Sequence, residues 1–216
     1  MSATCRVAVL ASGAGSNLTA VLDACDQPDF PASVVLVVSN RRSCGALDIA
    51  RARGVDSASM PVGDYDNDAA ARDSAMVEAL RTARVELVVC AGYDRVLSDD
   101  VLAAFPNAIL NIHPSLLPAF GGGMTAVEDA LAAGVKVTGC TVHLLATGAV
   151  DAGPIVLQAA VAVEENDDAE TLRNRIHEQE WRLLPEAIAL WATGRLQSDG
   201  TRVRILRYPR LREGVS

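Results

Sequence analysis

Three uninterrupted apolar runs, at residues 7–11, 34–38 and 87–91, constrain this chain more than any other feature. Each is five residues long, short for a helix and too uniformly apolar for a strand with one wet face. Such runs are strands buried on both sides, so the segments between them must supply the cover. After the first run, Leu18, Val21, Leu22 and Cys25 recur at helical spacing. After the second, Leu47, Ile49 and Ala50 mark a helix that Gly54 ends, and residues 68–82, with Met76, Val77 and Leu80, lead as a helix into the third. Strands alternating with helices predict an α/β fold, a Rossmann-like doubly wound, mostly parallel sheet with helices on both faces.

The remainder extends that plan. Residues 57–60 read as a short strand stopped by Pro61, and 98–105 as a short helix stopped by Pro106. The run Ala108-Ile109-Leu110 continues as a strand through Asn111 and His113. Residues 124–133 read as a helix before Gly134. Residues 136–145 alternate apolar and polar like a strand with one face exposed, and 155–163 form another strand. Residues 171–192 carry Leu172, Ile176, Leu183, Leu184, Ile188 and Trp191 as a long amphipathic helix, which Pro185 should kink. The tail, 202–208, adds a strand. No linker separates two units, so all 216 residues are read as one domain.

Composition narrows the partners. With 19 Lys and Arg against 27 Asp and Glu, the net charge of −8 argues against a nucleic-acid surface, which needs clustered cations. Small molecules are the expected partners. Cysteines 5, 25, 44, 90 and 140 show no C-x-x-C spacing and read as reduced thiols, with Cys90 and Cys140 in the core. Three histidines without paired spacing give no metal site. No apolar run approaches 18 residues, which argues against a membrane span. Residues 1–11 are too short for a signal sequence, so a cytoplasmic location is expected.

Two loops bear on chemistry. Ser12-Gly13-Ala14-Gly15-Ser16-Asn17 follows the first strand and opens a helix, but Leu18 stands where the dinucleotide fingerprint needs its third glycine. The second strand ends in Ser39-Asn40-Arg41-Arg42, with no acid for a ribose diol. What remains is a helix N-terminus with free amides plus Ser16 and Asn17, suited to one phosphate; a structural tight turn is the alternative. The second loop is Asn111-Ile112-His113-Pro114-Ser115-Leu116-Leu117-Pro118, a strand end braced by two prolines. Asn111 and His113, two apart, share a strand face. Alone, His113 reads equally as a core histidine or a reaction site.

Asp151, in an Asp-Ala-Gly-Pro turn before a strand, favours the site. A carboxylate fixes the tautomer of a histidine and stabilises its cation, while an Asn can donate to a developing oxyanion. Asn111, His113 and Asp151 could together support attack of an external amine on a carbonyl carbon. No Ser or Cys is placed as a nucleophile, and Ser115 reads as a structural hydroxyl. His143 and His177 read as structural or solvated, and the acidic stretches 64–68 and 164–168 as solvated turns.

Four motifs together carry a resemblance: Ser12-Gly13-x-Gly15-Ser16-Asn17, Ala91-Gly92-Tyr93-x-Arg95-Val96-Leu97-Ser98, the Asn111 to Pro118 stretch, and Asp151-x-Gly153-Pro154-Ile155. In their order and spacing, from the first strand to about Leu190, the chain resembles the phosphoribosylglycinamide formyltransferases of the formyltetrahydrofolate-dependent superfamily. The resemblance implies transfer of a formyl group from 10-formyltetrahydrofolate to the amine of glycinamide ribonucleotide, in de novo purine biosynthesis. It implies Asn111, His113 and Asp151 as the catalytic trio. Gly15, Ser16 and Asn17 would hold the substrate phosphate, with Gly92 and Pro114 lining the substrate cleft and Glu180 reaching the ribose hydroxyls. Asp94, Arg95, Val96 and Leu97 would meet the pterin, chiefly through backbone groups, with Asn111 at the formyl oxygen. No metal is implied, and a homodimer stays open.

The chain departs from that pattern in three places. Tyr93-Asp94-Arg95 stands where the family reads Phe-Met-Arg, adding a carboxylate near the pterin or formyl end. Gly121-Gly122-Gly123 makes a mobile loop in which Thr125 stands about where many members carry a His. Asp68 falls near a position where some members place an Arg for the folate tail. Methionyl-tRNA formyltransferase would need a basic RNA-binding domain, and a formyltetrahydrofolate hydrolase a regulatory domain. The competing readings are a sugar-nucleotide N-formyltransferase and a folate- or nucleotide-binding module without turnover.

Overall fold

A computed structural model of the chain describes residues 4–148 and 150–207. In chain order the elements are β1 (Cys5–Leu10), α1 (Ser16–Cys25), β2 (Ala32–Ser39), α2 (Gly45–Ala52), β3 (Ser57–Ser59), α3 (Ala69–Thr82) and β4 (Leu87–Cys90). They continue as α4 (Asp99–Ala104), β5 (Ile109–His113), α5 (Ala126–Ala132), β6 (Val137–Leu144), β7 (Ile155–Ala162), α6 (Ala169–Ala192), β8 (Leu196–Ser198) and β9 (Val203–Ile205). One seven-stranded sheet runs β3-β2-β1-β4-β5-β6-β7. Its first five strands are parallel, β6 runs antiparallel to β5, and β7 antiparallel to β6.

The two-sided apolar strands do what their composition requires. Along β1, Val7 and Val9 pack into a core with α1, α2 and α6, while Ala8 and Leu10 pack into a second core with α3 and α4. Each fully buried Val or Leu in these layers contributes about 1.5–3 kcal/mol relative to exposure. Chain order reverses at β1, whose neighbours are β2 and β4. A crevice opens where the loops after two such strands diverge, which is the usual ligand position in open α/β sheets. The loops after β1 and β4 border this point, and β5 lies next to it.

Three expectations are corrected. β6 is not half exposed: residues 138–144 are all buried. α6 packs on the strand, and the loop after β5 covers it as well. There Thr141 Oγ1 accepts from Leu117 N at 3.1 Å and donates to the Ser115 carbonyl at 2.7 Å. Thr141 and His143 of this strand face protein partners rather than water, and the Thr138 hydroxyl is buried without one. The tail strand β9 does not join the main sheet but pairs with β8 as a separate two-stranded ribbon; Tyr208 lies outside the described residues. The helix expected from 124 starts at Ala126, leaving the loop before it longer. No helix among the described residues is long and apolar enough to cross a membrane, and none of the five cysteines forms a disulfide.

α6 carries one wall of the site, and its start is fixed by side chains. Asp168 Oδ1 accepts from Thr171 N at 2.8 Å and Thr171 Oγ1 accepts from Asp168 N at 2.9 Å, a reciprocal capping box. The helix continues through Pro185; the bond its ring removes would end on the carbonyl of Trp181, an exposed residue. Asp167 accepts two bonds from Arg175, at 2.7 and 2.8 Å, and one from Glu164 N. The Arg175 guanidinium and the Glu164 amide bring its pKa from 3.8 to about 2.

Because that folded value lies below the unfolded one, the stabilisation is complete above the unfolded pKa and disappears as pH falls through the folded one. Acid unfolding of wild type beside Asp167→Asn should show a constant stability gap above about pH 4, closing towards pH 2. A gap that stayed constant across this range would show that the carboxylate charge does not contribute.

Candidate active site

Regular structure ends at Leu10, Cys90 and His113 on three parallel strands of the sheet, and the chain beyond each end borders a single cleft of about 450 Å³. Asn17 reaches it from the first turn of α1. The loop from Gly92 to Leu97 forms a second side, and Asn111 to Pro114 the base. Gly122 to Met124 and the turn from Val150 to Gly153 lie opposite, and Arg173, His177 and Glu180 of α6 close the remaining wall.

At the base, His113 is buried, with Nδ1 3.3 Å from Asp151 Oδ2 and Nε2 3.0 Å from the Phe120 carbonyl. Both ring nitrogens face oxygen acceptors, so only the doubly protonated imidazolium donates at both. Asn111 Nδ2 lies 3.4 Å from the other Asp151 oxygen. The sequence-expected trio is therefore one contact group, assembled from the end of β5 and the connection before β7. Ser115, fully buried, donates to the Ala119 carbonyl at 2.5 Å, the structural role expected of it.

Asp151 has a backbone φ of 58°, and its Oδ2 also accepts from Gly122 N at 2.9 Å. Burial alone would raise its pKa. The His143 ring, the Gly122 amide and the positive character of His113 outweigh burial and hold the carboxyl below its usual value. The turn closes tightly after it: a methyl group on Gly153 would overlap the Leu144 carbonyl.

His143 is the residue that sequence reasoning missed. It is fully buried, and its Nε2 stands 3.0 Å from Asn111 Nδ2 and 3.6 Å from Asp151 Oδ1. The antiparallel register that sets Asn111 opposite His143 brings it there. Nothing in the sequence near His143 encodes that register. His177, expected to be structural or solvated, lines the cleft with Nε2 3.9 Å from Glu180 Oε2. A signal for it existed: residues 173, 177 and 180 share one helix face, so any role for Glu180 brings the other two along.

The phosphate-loop residues divide. Gly15 takes φ 88° at the N-cap of α1, and a Cβ there would sit 2.8 Å from Ala46 Cα, so glycine is needed for contact with α2. Asn17 lines the cleft, and Gly15 and Ser16, both partly exposed, precede it at the start of α1 without joining its lining. No side chain caps the α1 amides. Asn17 Nδ2 donates to Glu180 Oε2 at 2.8 Å, and Asn17 Oδ1 is buried without a partner. Glu180 is itself buried, and desolvation raises its pKa against the opposing bond from Asn17.

Asp94, Arg95, Val96 and Leu97 all line the cleft, as do Gly92 and Pro114. The Asp94 carboxylate, however, is held by Asn40 and Arg41 rather than left free. Those bonds and one to Ser12 outweigh burial and keep its pKa below the usual value. Val96 is 70% exposed and Met124 75%, giving the mouth two apolar faces. Thr125 donates to Asp129 at 2.9 Å and does not line the cleft. Asp68 caps α3 through Ala70 N and Ala71 N.

Comparison with known proteins places the chain in a family. A family model described as formyl transferase matches residues 5–188. The phosphoribosylglycinamide formyltransferase of Mycobacterium tuberculosis H37Rv is 44% identical over 210 residues, covering 94% of this chain and 95% of the relative. A trifunctional purine biosynthetic protein, adenosine-3, of Bos taurus is 44% identical over 197 residues, covering 90% of this chain; the match spans 19% of that longer protein. Among solved structures, glycinamide ribonucleotide transformylase 1 of Symbiobacterium toebii superposes with a TM-score of 0.91 at 50% identity, covering 95% of this chain and 96% of its own. The chain belongs to the formyl transferase family, among its phosphoribosylglycinamide formyltransferases.

Proposed function

We propose that the cleft transfers a formyl group from 10-formyltetrahydrofolate to the primary amine of glycinamide ribonucleotide, within one formyltransferase domain. The observation that carries this reading is the contact group of Asn111, His113 and Asp151 at the base of a cleft bordered by an uncapped helix N-terminus. The wall formed by the loop after β4 suits a flat bicyclic ring with a polar edge: Leu97 and Leu102 offer apolar surface, and the irregular backbone at 93–97 offers amide and carbonyl groups. When bound, the folate supplies the activated formyl carbon.

The chain's own groups do the rest. The uncapped amides at the start of α1 favour a phosphate. Asn17 and Glu180 form the buried polar pair nearest to it, and the orphaned Asn17 Oδ1 needs a donor such as a ribose hydroxyl. Asn111 Nδ2 and the His113 Nε2 proton stabilise negative charge developing on the formyl oxygen. Nε2 is the ring nitrogen turned away from Asp151, so it is the one that can exchange the Phe120 carbonyl for a substrate oxygen. The transfer forms a bond from the amine nitrogen to the formyl carbon and breaks that carbon's bond to the folate nitrogen. Asp151, held as a carboxylate, accepts the proton that the amine must lose, through water, and the folate nitrogen regains one. His143 keeps Asn111 and Asp151 in register from behind.

Purified protein given 10-formyltetrahydrofolate should formylate glycinamide ribonucleotide and leave an amino-sugar nucleotide unformylated. The reverse preference would identify a sugar-nucleotide N-formyltransferase, and absence of turnover with both would identify a binding module. Asp151→Asn should lower kcat by about 10²–10⁴-fold while changing either KM little. Asn17→Ala should raise KM for the ribonucleotide about tenfold and leave the folate KM within about twofold. An Asn17 variant that weakened folate alone would remove this loop from the amine substrate.

A further inference from the structure

Asp94 replaces the apolar residue of the family pattern, and its side chain has built a connection of its own. Oδ1 accepts from Asn40 Nδ2 at 2.7 Å, Oδ2 pairs with Arg41, and the Asp94 amide donates to Ser12 Oγ at 3.0 Å. Ser12 Oγ in turn donates to Asn40 Oδ1 at 2.6 Å, and Ser12 N donates to the Gly92 carbonyl at 3.0 Å. Ser12, Asn40 and Arg41, and Asp94 follow β1, β2 and β4, three adjacent strands. The group is a closed ring of bonds tying the loop after β4 to the two loops beside it.

That loop needs such a tie. Between the end of β4 at Cys90 and the start of α4 at Asp99 no helix or strand sets the backbone. A separate anchor, the buried pair Arg72 and Asp73 of α3, holds it at Ser98 and at Tyr93. Asp73 Oδ2 accepts from Ser98 N at 3.2 Å, and Arg72 Nη1 donates to Tyr93 Oη at 3.4 Å. Between the anchors lie Arg95, Val96 and Leu97, which face the cleft.

We propose that Asp94 is a positioning residue: its carboxylate, clamped by Asn40 and Arg41, sets the backbone of residues 93–97 for the folate rather than touching it. This rests on the formyl-transfer reading given above. The consequence is asymmetric. The glycine loop has its own support, since Ala46 N donates to the Gly13 carbonyl at 3.1 Å and Gly15 packs on Ala46. Loss of the clamp therefore loosens the folate side first.

The test is a double-mutant cycle on Asp94→Ala and Arg41→Ala, with two readouts. Amide hydrogen exchange at 93–97 in the unliganded protein should quicken in each single variant, and the double variant should go little beyond Asp94→Ala. The folate KM should rise on the order of tenfold in Asp94→Ala, with the ribonucleotide KM within about twofold and the two substitutions strongly non-additive. Asp94→Asn, which keeps an acceptor for Asn40 but loses the ion pair, should fall between. Direct contact of Asp94 with the folate would give the same KM penalty with or without Arg41 and leave exchange at 93–97 unchanged; that result overturns the proposal. Exchange is read without substrate, so failure of the wild type to transfer formyl groups would count against the formyl-transfer reading and leave the clamp to be judged by its own result.

Discussion

The site depends on one shared carboxylate. Asp151 faces His113 with one oxygen, approaches Asn111 and His143 with the other, and also receives the Gly122 amide. It thereby joins four pieces of chain: β5, β6, the loop after Pro118, and the connection before β7. A buried carboxylate left without these partners would carry a desolvation penalty of its own. With them, the group stays ionised and orients two side chains that would otherwise rotate. The order of the base of the cleft and its chemistry have the same origin.

The sheet makes this possible by changing direction. Five parallel strands deliver loops to one edge, the normal arrangement for ligand binding in an open α/β sheet. Returning antiparallel, β6 enters from the site edge, setting Thr141 opposite His113, then His143 opposite Asn111 and Leu144 opposite Leu110. The connection from β6 to β7 then brings Asp151 to His113 and Asn111. A sixth parallel strand followed by a crossover helix would have needed a dozen or more residues before the next strand. Here ten residues separate Leu144 from Ile155.

Much of this was legible in the residues. Val7 to Leu10 and Leu87 to Cys90 announced two-sided strands, and β1 with β4 does separate two cores. Asn111, His113 and Asp151 could be grouped because strand alternation fixes the first two and a turn motif flags the third. What could not be read was anything set by register or by remote cover. Thr141 and His143 look like the wet face of a strand, but both are buried, Thr141 against the braced loop at 114–118 and His143 against Asn111 and Asp151. Asp94 looks like a free acid at a binding edge, but its partners are Asn40 and Arg41, more than fifty residues earlier. Local pattern determines an element; which polar atoms it meets is decided by packing.

Gly153 gives the site a different kind of boundary. Two residues after Asp151, the chain passes so close to the Leu144 carbonyl that no side-chain carbon fits between them. The spacing of Asp151 to His113 is held by that missing atom as much as by any bond. Even alanine there must displace the β6 end or the turn, and either movement carries His143 or Asp151 with it. A position with no functional group of its own is thus closed to substitution by volume alone, and selection acting on the chemistry would be felt at an empty point in the fold.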